Sequence, residues 1–230
     1  MADGDSKYAH VPFSPERVPE GEVVDRGRAF FEELDQRRSV RHFSDEPVPR
    51  EAIELAVRTA STAPSGAHRQ PWRFVVIDDP ALKTQIRGAA EHEEKISYEG
   101  GRMPPDWIEA LAPLGTSWEK PYLETAPYIV VLFEEIHSFH EDGRKRKNYY
   151  VRESVGIAAG LFIAALHRMG LATLTHTPSP MGFLTKLLGR PKNERPFILF
   201  PVGYPSSDAT VPDIQRKPLA DVIAWNTDES

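Results

Sequence analysis

Apolar positions along the chain recur at two periods, and the changes of period mark the elements. From Asp25 to about Arg38 the run DRGRAFFEELDQRR sets Phe30, Phe31 and Leu34 on one helical face. Residues 1–24 are polar and proline-rich without a period, and read as an extended arm. After a loop at Pro47 and Pro49, PREAIELAVRTAST predicts a helix with Ile53, Ala56, Val57 and Ala60 inward, stopped by Pro64-Ser65-Gly66. Phe74 to Ile77 is a short apolar run closed by Asp-Asp-Pro, the pattern of a buried strand.

Residues 81–98 are helical by pattern. The segment EGGRMPPDW then breaks regular structure, and a less apolar helical stretch follows over 106–123. A breaker-rich, weakly hydrophobic segment between core elements predicts a mobile lid, about 91–122. Pro127 to Phe133 is the clearest strand, and EEIHSFHEDGRKRK reads as a polar excursion. The helix from about Asn148 to Met169 has a centre, VGIAAGLFIAAL, that is apolar on every face and therefore calls for burial on every face. Gly156, Ala159, Gly160 and Ala164 leave room for close backbone approach, which suits the core of a dimer. A strand at Leu171–Thr175, a short helix over 182–189 and a strand at Phe197–Val202 complete the series. From Tyr204 onward there is no period, as in an arm reaching to a partner.

Composition narrows the class. The 230 residues are 40% hydrophobic and 27% charged, which excludes disorder over the whole length. The absence of cysteine excludes disulfides, thiolate metal sites and cysteine nucleophiles. A net charge of −6 argues against general nucleic-acid binding. No stretch approaches the roughly 20 apolar residues of a spanning helix, and the N-terminus lacks the pattern of a secretory signal, so a soluble cytoplasmic protein is expected.

Four groups can carry chemistry. Arg37, Arg38, Ser39 and Arg41 lie at a helix end: guanidinium groups hold phosphate bidentately, and equally cations at a helix C-terminus answer its dipole. The segment Thr62–His68, with Pro64-Ser65-Gly66-Ala67, can bring backbone N–H groups close to a ligand or simply end a helix. Glu94 and Tyr98 share a helical face at i, i+4, with Lys120 on the next element: together they can bind both charges of an amino-acid zwitterion, or belong to a solvated surface beside Glu91, Glu93 and Lys95. Thr173 to Pro178, around His176, follows a strand, where hydroxyls can meet a ligand or serve only as strand formers. His137 and His140 have metal-like spacing without a third ligand nearby, so no metal is expected, and Arg144–Lys147 reads as a solvated charge run. No P-loop, G-x-G-x-x-G or G-x-S-x-G pattern occurs. Pattern alone reaches a soluble α/β domain, with binding of a phosphorylated cofactor left open beside the bland readings.

Taken together, RRSVR, TAPSGAHRQPW, EEKISY, YLETAP, THTP, LLGRP, PVGYP and ATVPDIQRKPL resemble the FMN-dependent nitroreductase superfamily and, within it, the iodotyrosine deiodinase branch, from about residue 28 to the tail. The resemblance implies an α+β, nitroreductase-like three-layer fold with a central mixed β-sheet. It implies an FMN-binding domain over 25–203 and a C-terminal extension, 204–230, reaching the partner of an intertwined homodimer. By position, Arg37, Arg38, Ser39, Val40 and Arg41 would bind FMN, with Arg216 at its phosphate. Pro64 and Ser65 would line the flavin, and Thr175, His176 and Thr177 would run beside its ring, Thr175 donating to N5 as the catalytic hydroxyl. Glu94, Tyr98 and Lys120 would grip a halotyrosine's ammonium and carboxylate, and the Ala67 N–H its phenolate. The implied activity is reductive dehalogenation of 3-iodotyrosine, 3,5-diiodotyrosine and bromo or chloro analogues to tyrosine and halide by one-electron flavin steps. Electrons would come from an unidentified reductase or NAD(P)H. A general FMN-dependent NAD(P)H nitro or quinone reductase is the alternative, and a non-catalytic flavin or halotyrosine binder is a further one. His176, where a threonine is familiar, and a slightly longer lid loop depart from the branch. The expectation is a soluble homologue of the membrane-anchored vertebrate enzymes, with no nucleic-acid or membrane partner.

Overall fold

The computed structural model describes residues 8–226, in two compact units that divide between Arg37 and Arg38. In the first, helix α1 spans Glu20–Asp35. It starts at Glu20 rather than Asp25 because Pro19 presets the entry and Glu20 and Glu22 answer the positive end of the helix dipole. The expected arm is therefore shorter, with no helix or strand over 8–19, and its first seven residues lie outside the described ones. No residue of α1 is buried, and Phe30 and Phe31 are exposed.

The second unit is built on a four-stranded sheet in the order β1-β2-β6-β5. Its strands are β1 (Trp72–Ile77), β2 (Tyr128–Glu135), β5 (Ala172–Thr173) and β6 (Glu194–Gly203). Every ladder is antiparallel; the parallel component of the mixed sheet is confined, among the described residues, to the Ser39–Thr173 bridge. The alternation along β2 divides the core. Ile129, Val131 and Phe133 face α3 (Pro80–Tyr98), α5 (Tyr122–Thr125) and α7 (Gly182–Leu187), through Ile86, Ala90, Leu123 and Leu184. Val130 and Leu132 face α2 (Arg50–Ala60) and α6 (Val151–Arg168), through Ile53, Ala56, Phe162 and Leu166. Helix, sheet and helix form three layers.

Helix α6 buries Val155, Ala158, Phe162 and Leu166 on one side, while Gly156, Ile157 and Gly160 stay exposed. Burial on every face is thus not achieved within one chain. The stretch 106–123 is not one helix. It divides into α4 (Pro105–Leu111), a 3-10 turn at Ala112–Leu114, a left-handed Gly115 at φ 58° and α5, because Pro113 and Pro121 cannot donate to a continuous ladder. The polar excursion is a hairpin, β3 (His137–Phe139) with β4 (Lys145–Lys147), turned at Gly143 with φ 80°.

Candidate active site

Helix α3 is capped by Asp79, whose carboxylate accepts from Leu82 N at 2.7 Å, and it carries Glu91, Glu94 and Tyr98 along one face. Lys120 stands on the segment leading into α5 and is only 2% exposed. Its Nζ lies 3.5 Å from Glu94 Oε2 and 3.3 Å from Thr116 Oγ1, and it donates to the Ser117 carbonyl. Glu91 accepts from the Lys120 backbone N at 2.7 Å and is itself held by Arg87 Nε at 2.8 Å. Burial pulls the Lys120 ammonium below its ordinary pKa, and the Glu94 charge pushes back. Burial raises the Tyr98 phenol, partly offset by its hydrogen bond to Thr116.

Glu94, Tyr98 and Lys120 line one cavity of about 260 Å³ together with Arg41, Thr175, His176 and Thr177. The strand beyond β5 explains the last three. His176 exchanges both backbone hydrogen bonds with Leu199, at 2.8 and 2.9 Å, so its ring turns inward while Thr175 and Thr177 are exposed on either side of it. Tyr122 Oη meets His176 Nδ1 at 3.2 Å, with the rings edge to face, and His176 Nε2 is buried with no partner among the described residues. Burial, with lesser contributions from Lys120 and Arg41, lowers the His176 pKa to about 3, so the ring is neutral between two cations. Burial likewise raises the Tyr122 phenol.

On the segment that bridges to Thr173, Arg38 donates to the Pro212 carbonyl and Val40 N donates to Thr173 O at 3.2 Å. Ser39 and Arg41 line a second cavity of about 240 Å³ beside Thr210 and Pro212. Arg41 stands in the wall of both cavities, and its Nε is buried without an acceptor among the described residues. Such an orphaned cationic donor fits an anionic or carbonyl-bearing ligand. Arg37 closes the first unit, and Arg216 is exposed on the tail.

The Pro64–Ala67 loop does not line this cavity: none of its residues is in the wall that holds Lys120. It is pinned instead at the start of α6, where Gly66 bridges Tyr149 and a Cβ at residue 66 would fall 2.6 Å from the Tyr149 carbonyl oxygen. Ala67, His68 and Gln70 hold φ of 51°, 53° and 48°, left-handed values that cost non-glycine residues about 1–3 kcal/mol each. The amides of Gly66, His68, Arg69 and Gln70 all donate within the chain, whereas that of Ala67 has no acceptor among the described residues.

Sequence reasoning missed Glu91, Thr116 and Tyr122 in these roles. The i, i+3 spacing from Glu91 to Glu94 was a usable signal for the first. Nothing local marks Thr116 or Tyr122, which reach the site through the fold. Among the described residues no group of three or more His, Asp or Glu gathers as for a metal ion.

The chain and its three-layer α+β unit match known proteins. The Nitroreductase family model covers residues 34–204, and the chain belongs to that family. Several proteins similar to the chain are iodotyrosine deiodinases. The chain is 54% identical to iodotyrosine deiodinase of Haliscomenobacter hydrossis, over 94% of this chain and 97% of that one. It is 48% identical to iodotyrosine deiodinase 1 of Homo sapiens, over 96% of this chain and 76% of the human one. A crystal structure of oxidized iodotyrosine deiodinase bound to FMN and 3-iodo-L-tyrosine superposes with a TM-score of 0.75 at 32% identity, over 86% of this chain and 99% of that one. No helix of the described residues is long and apolar enough to cross a membrane.

Proposed function

We propose that this protein is an FMN-dependent reductive dehalogenase of halotyrosines. The observation that carries the reading is the Glu94–Lys120 pair, 3.5 Å apart with Lys120 buried and Glu94 largely covered, beside Tyr98 in a cavity that Thr175 and Thr177 also line. A carboxylate and an ammonium kept out of water are costly unless a ligand or each other satisfies them. A zwitterion satisfies both, its ammonium at Glu94 and its carboxylate at Lys120 and Tyr98.

The residues fit FMN. Arg38, Ser39 and Arg41 offer donors on one segment, Arg41 with an unclaimed buried Nε, and Arg216 is assigned to the phosphate. Bound flavin supplies two electrons; with one proton they replace the aryl carbon–halogen bond by carbon–hydrogen and release halide. The chain sets the geometry. Thr175 donates to flavin N5, and the free Ala67 N–H holds the substrate as its phenolate. Because the Pro64–Ala67 loop is pinned to α6, away from the Lys120 cavity, we assign that loop to the flavin of a partner chain. The exposed Gly156, Ile157 and Gly160 side of α6 is the face that a second copy covers, and the tail from Tyr204 reaches across.

The deciding experiment is anaerobic. Protein reconstituted with FMN and reduced by dithionite is expected to convert 3-iodotyrosine to tyrosine over many turnovers per flavin. Protein that holds FMN but forms no tyrosine, and instead oxidises NADPH with nitroaromatics, is the general reductase. Thr175→Ala is expected to keep FMN and slow dehalogenation by about tenfold or more, the scale of a lost donor at a reacting centre. An unchanged rate, with Thr177→Ala slow instead, moves the N5 role two residues along.

A further inference from the structure

The chain carries a net charge of −6, yet strand β4 presents Lys145, Arg146 and Lys147 in succession, all exposed. The turn's Asp142 is taken by Arg144 at 2.7 Å. None of the three β4 cations has a carboxylate within ion-pair distance among the described residues, and Lys147 lies 5.4 Å from the centre of the Tyr149 ring. A solvated run on a mobile loop would say little. This one is held on a rigid base. Asn148, buried, donates to the Glu135 carbonyl at 2.7 Å and accepts from Ser138 at 3.2 Å. Asn193, also buried, donates to the His137 carbonyl at 2.8 Å. The strand then runs directly into Tyr149, whose backbone bridges Gly66 in the loop assigned to the flavin.

We propose that the β3–β4 hairpin is the docking surface for an acidic one-electron carrier protein that reduces the bound flavin. The inference rests on the flavoenzyme reading above. A fixed positive edge on an otherwise acidic molecule attracts an acidic partner locally, while the net negative charge repels a long polyanion such as nucleic acid. Encounters of this kind need little buried area and gain chiefly in association rate. The balance closes with two carriers: each gives up one electron, one proton comes from solvent, the carbon–halogen bond breaks and halide leaves.

The test uses the full-length holoprotein in anaerobic stopped flow, following FMN bleaching by reduced bacterial flavodoxin, an acidic carrier, and by methyl viologen radical cation, a small reductant. Lys145→Glu/Arg146→Glu/Lys147→Glu is expected to lower the flavodoxin rate about tenfold or more and leave the viologen rate unchanged. Raising salt from about 20 to 300 mM is expected to do the same to the parent protein. The neutral triple Lys145→Gln/Arg146→Gln/Lys147→Gln should fall between, which guards against a charge-reversed variant that folds poorly. Equal flavodoxin rates in parent and variants, a flat salt dependence, or no reduction by flavodoxin of a flavin that viologen does reduce overturns the proposal. Failure of the underlying reading looks different: a protein that is no flavoenzyme retains no FMN absorbance before any carrier is added, and a general reductase keeps FMN but forms no tyrosine from 3-iodotyrosine after reduction by dithionite.

Discussion

Lys120→Met is expected to weaken 3-iodotyrosine binding by on the order of a hundredfold, with the loss confined to ligands that carry a carboxylate. Truncating one member of a buried, hydrogen-bonded charge pair costs about 2–5 kcal/mol, because the remaining charge is left without a partner in a desolvated place. Lys120 meets that condition: it is 2% exposed, 3.5 Å from Glu94, and fixed from behind by Thr116, Ser117 and Glu91. The substrate carboxylate loses its cation, and Glu94 loses the charge that balances it when the site is open. Glu94→Gln is expected to cost less, a few-fold to tenfold, since the amide oxygen still accepts from an ammonium group. Titration of FMN fluorescence with 3-iodotyrosine and with 2-iodophenol checks both. The phenol lacks the zwitterion and should bind parent and variants within about twofold, because the clamp does not touch it. Equal losses for the two ligands would mean that Lys120 supports the fold of the cavity and does not grip the amino-acid group.

The grouping of Glu94, Tyr98 and Lys120 was legible because helical spacing survives in the sequence: Glu94 and Tyr98 four residues apart must share a face once α3 forms, and the α3 pattern is strong. Its supports were not legible. Thr116 follows a broken stretch whose course depends on Pro113, a left-handed Gly115 and Pro121, and no period predicts where such a segment turns. The hairpin was missed for a different reason. Both of its strands are polar and largely exposed, so the period-two alternation that marks a half-buried strand is absent, and only the Asp142-Gly143 turn signal was available. The uniform apolarity of α6 predicted a helix covered all round, and the chain by itself covers one side; the proposed second copy would cover the other. The Ala67 donor was not legible, because left-handed non-glycine residues at three of four positions, Ala67, His68 and Gln70, follow from tertiary contacts at Gly66 rather than from local propensity.

His176 makes the largest expected pH effect. In the folded chain its pKa is about 3, against an ordinary 6.5, since burial penalises the imidazolium and Lys120 and Arg41 add to the penalty. The sign follows from which state takes the proton. Below about pH 6.5 the unfolded chain binds a proton at this histidine that the folded chain refuses, so stability is complete above that pH. It then falls by at most about 1.4 kcal/mol per pH unit on acidification toward pH 3. Between pH 7.5 and 5.0 the loss from this one group amounts to about 2 kcal/mol, which is large beside a typical folding free energy of 5–15 kcal/mol. Urea unfolding at fixed protein concentration, in parent and His176→Thr, isolates the contribution, because the carboxylates and exposed histidines titrate alike in both. The variant is expected to show the shallower acid dependence, and identical slopes would contradict a neutral buried ring. Neutrality also bears on the site. With Tyr122 at its Nδ1 and two cations nearby, an imidazole that stays uncharged lets Thr175 and Thr177 flank it without a third positive charge beneath the cavity. A threonine there would leave that charge balance unaltered, so His176→Thr is expected to lose the acid sensitivity while keeping 3-iodotyrosine affinity within about threefold.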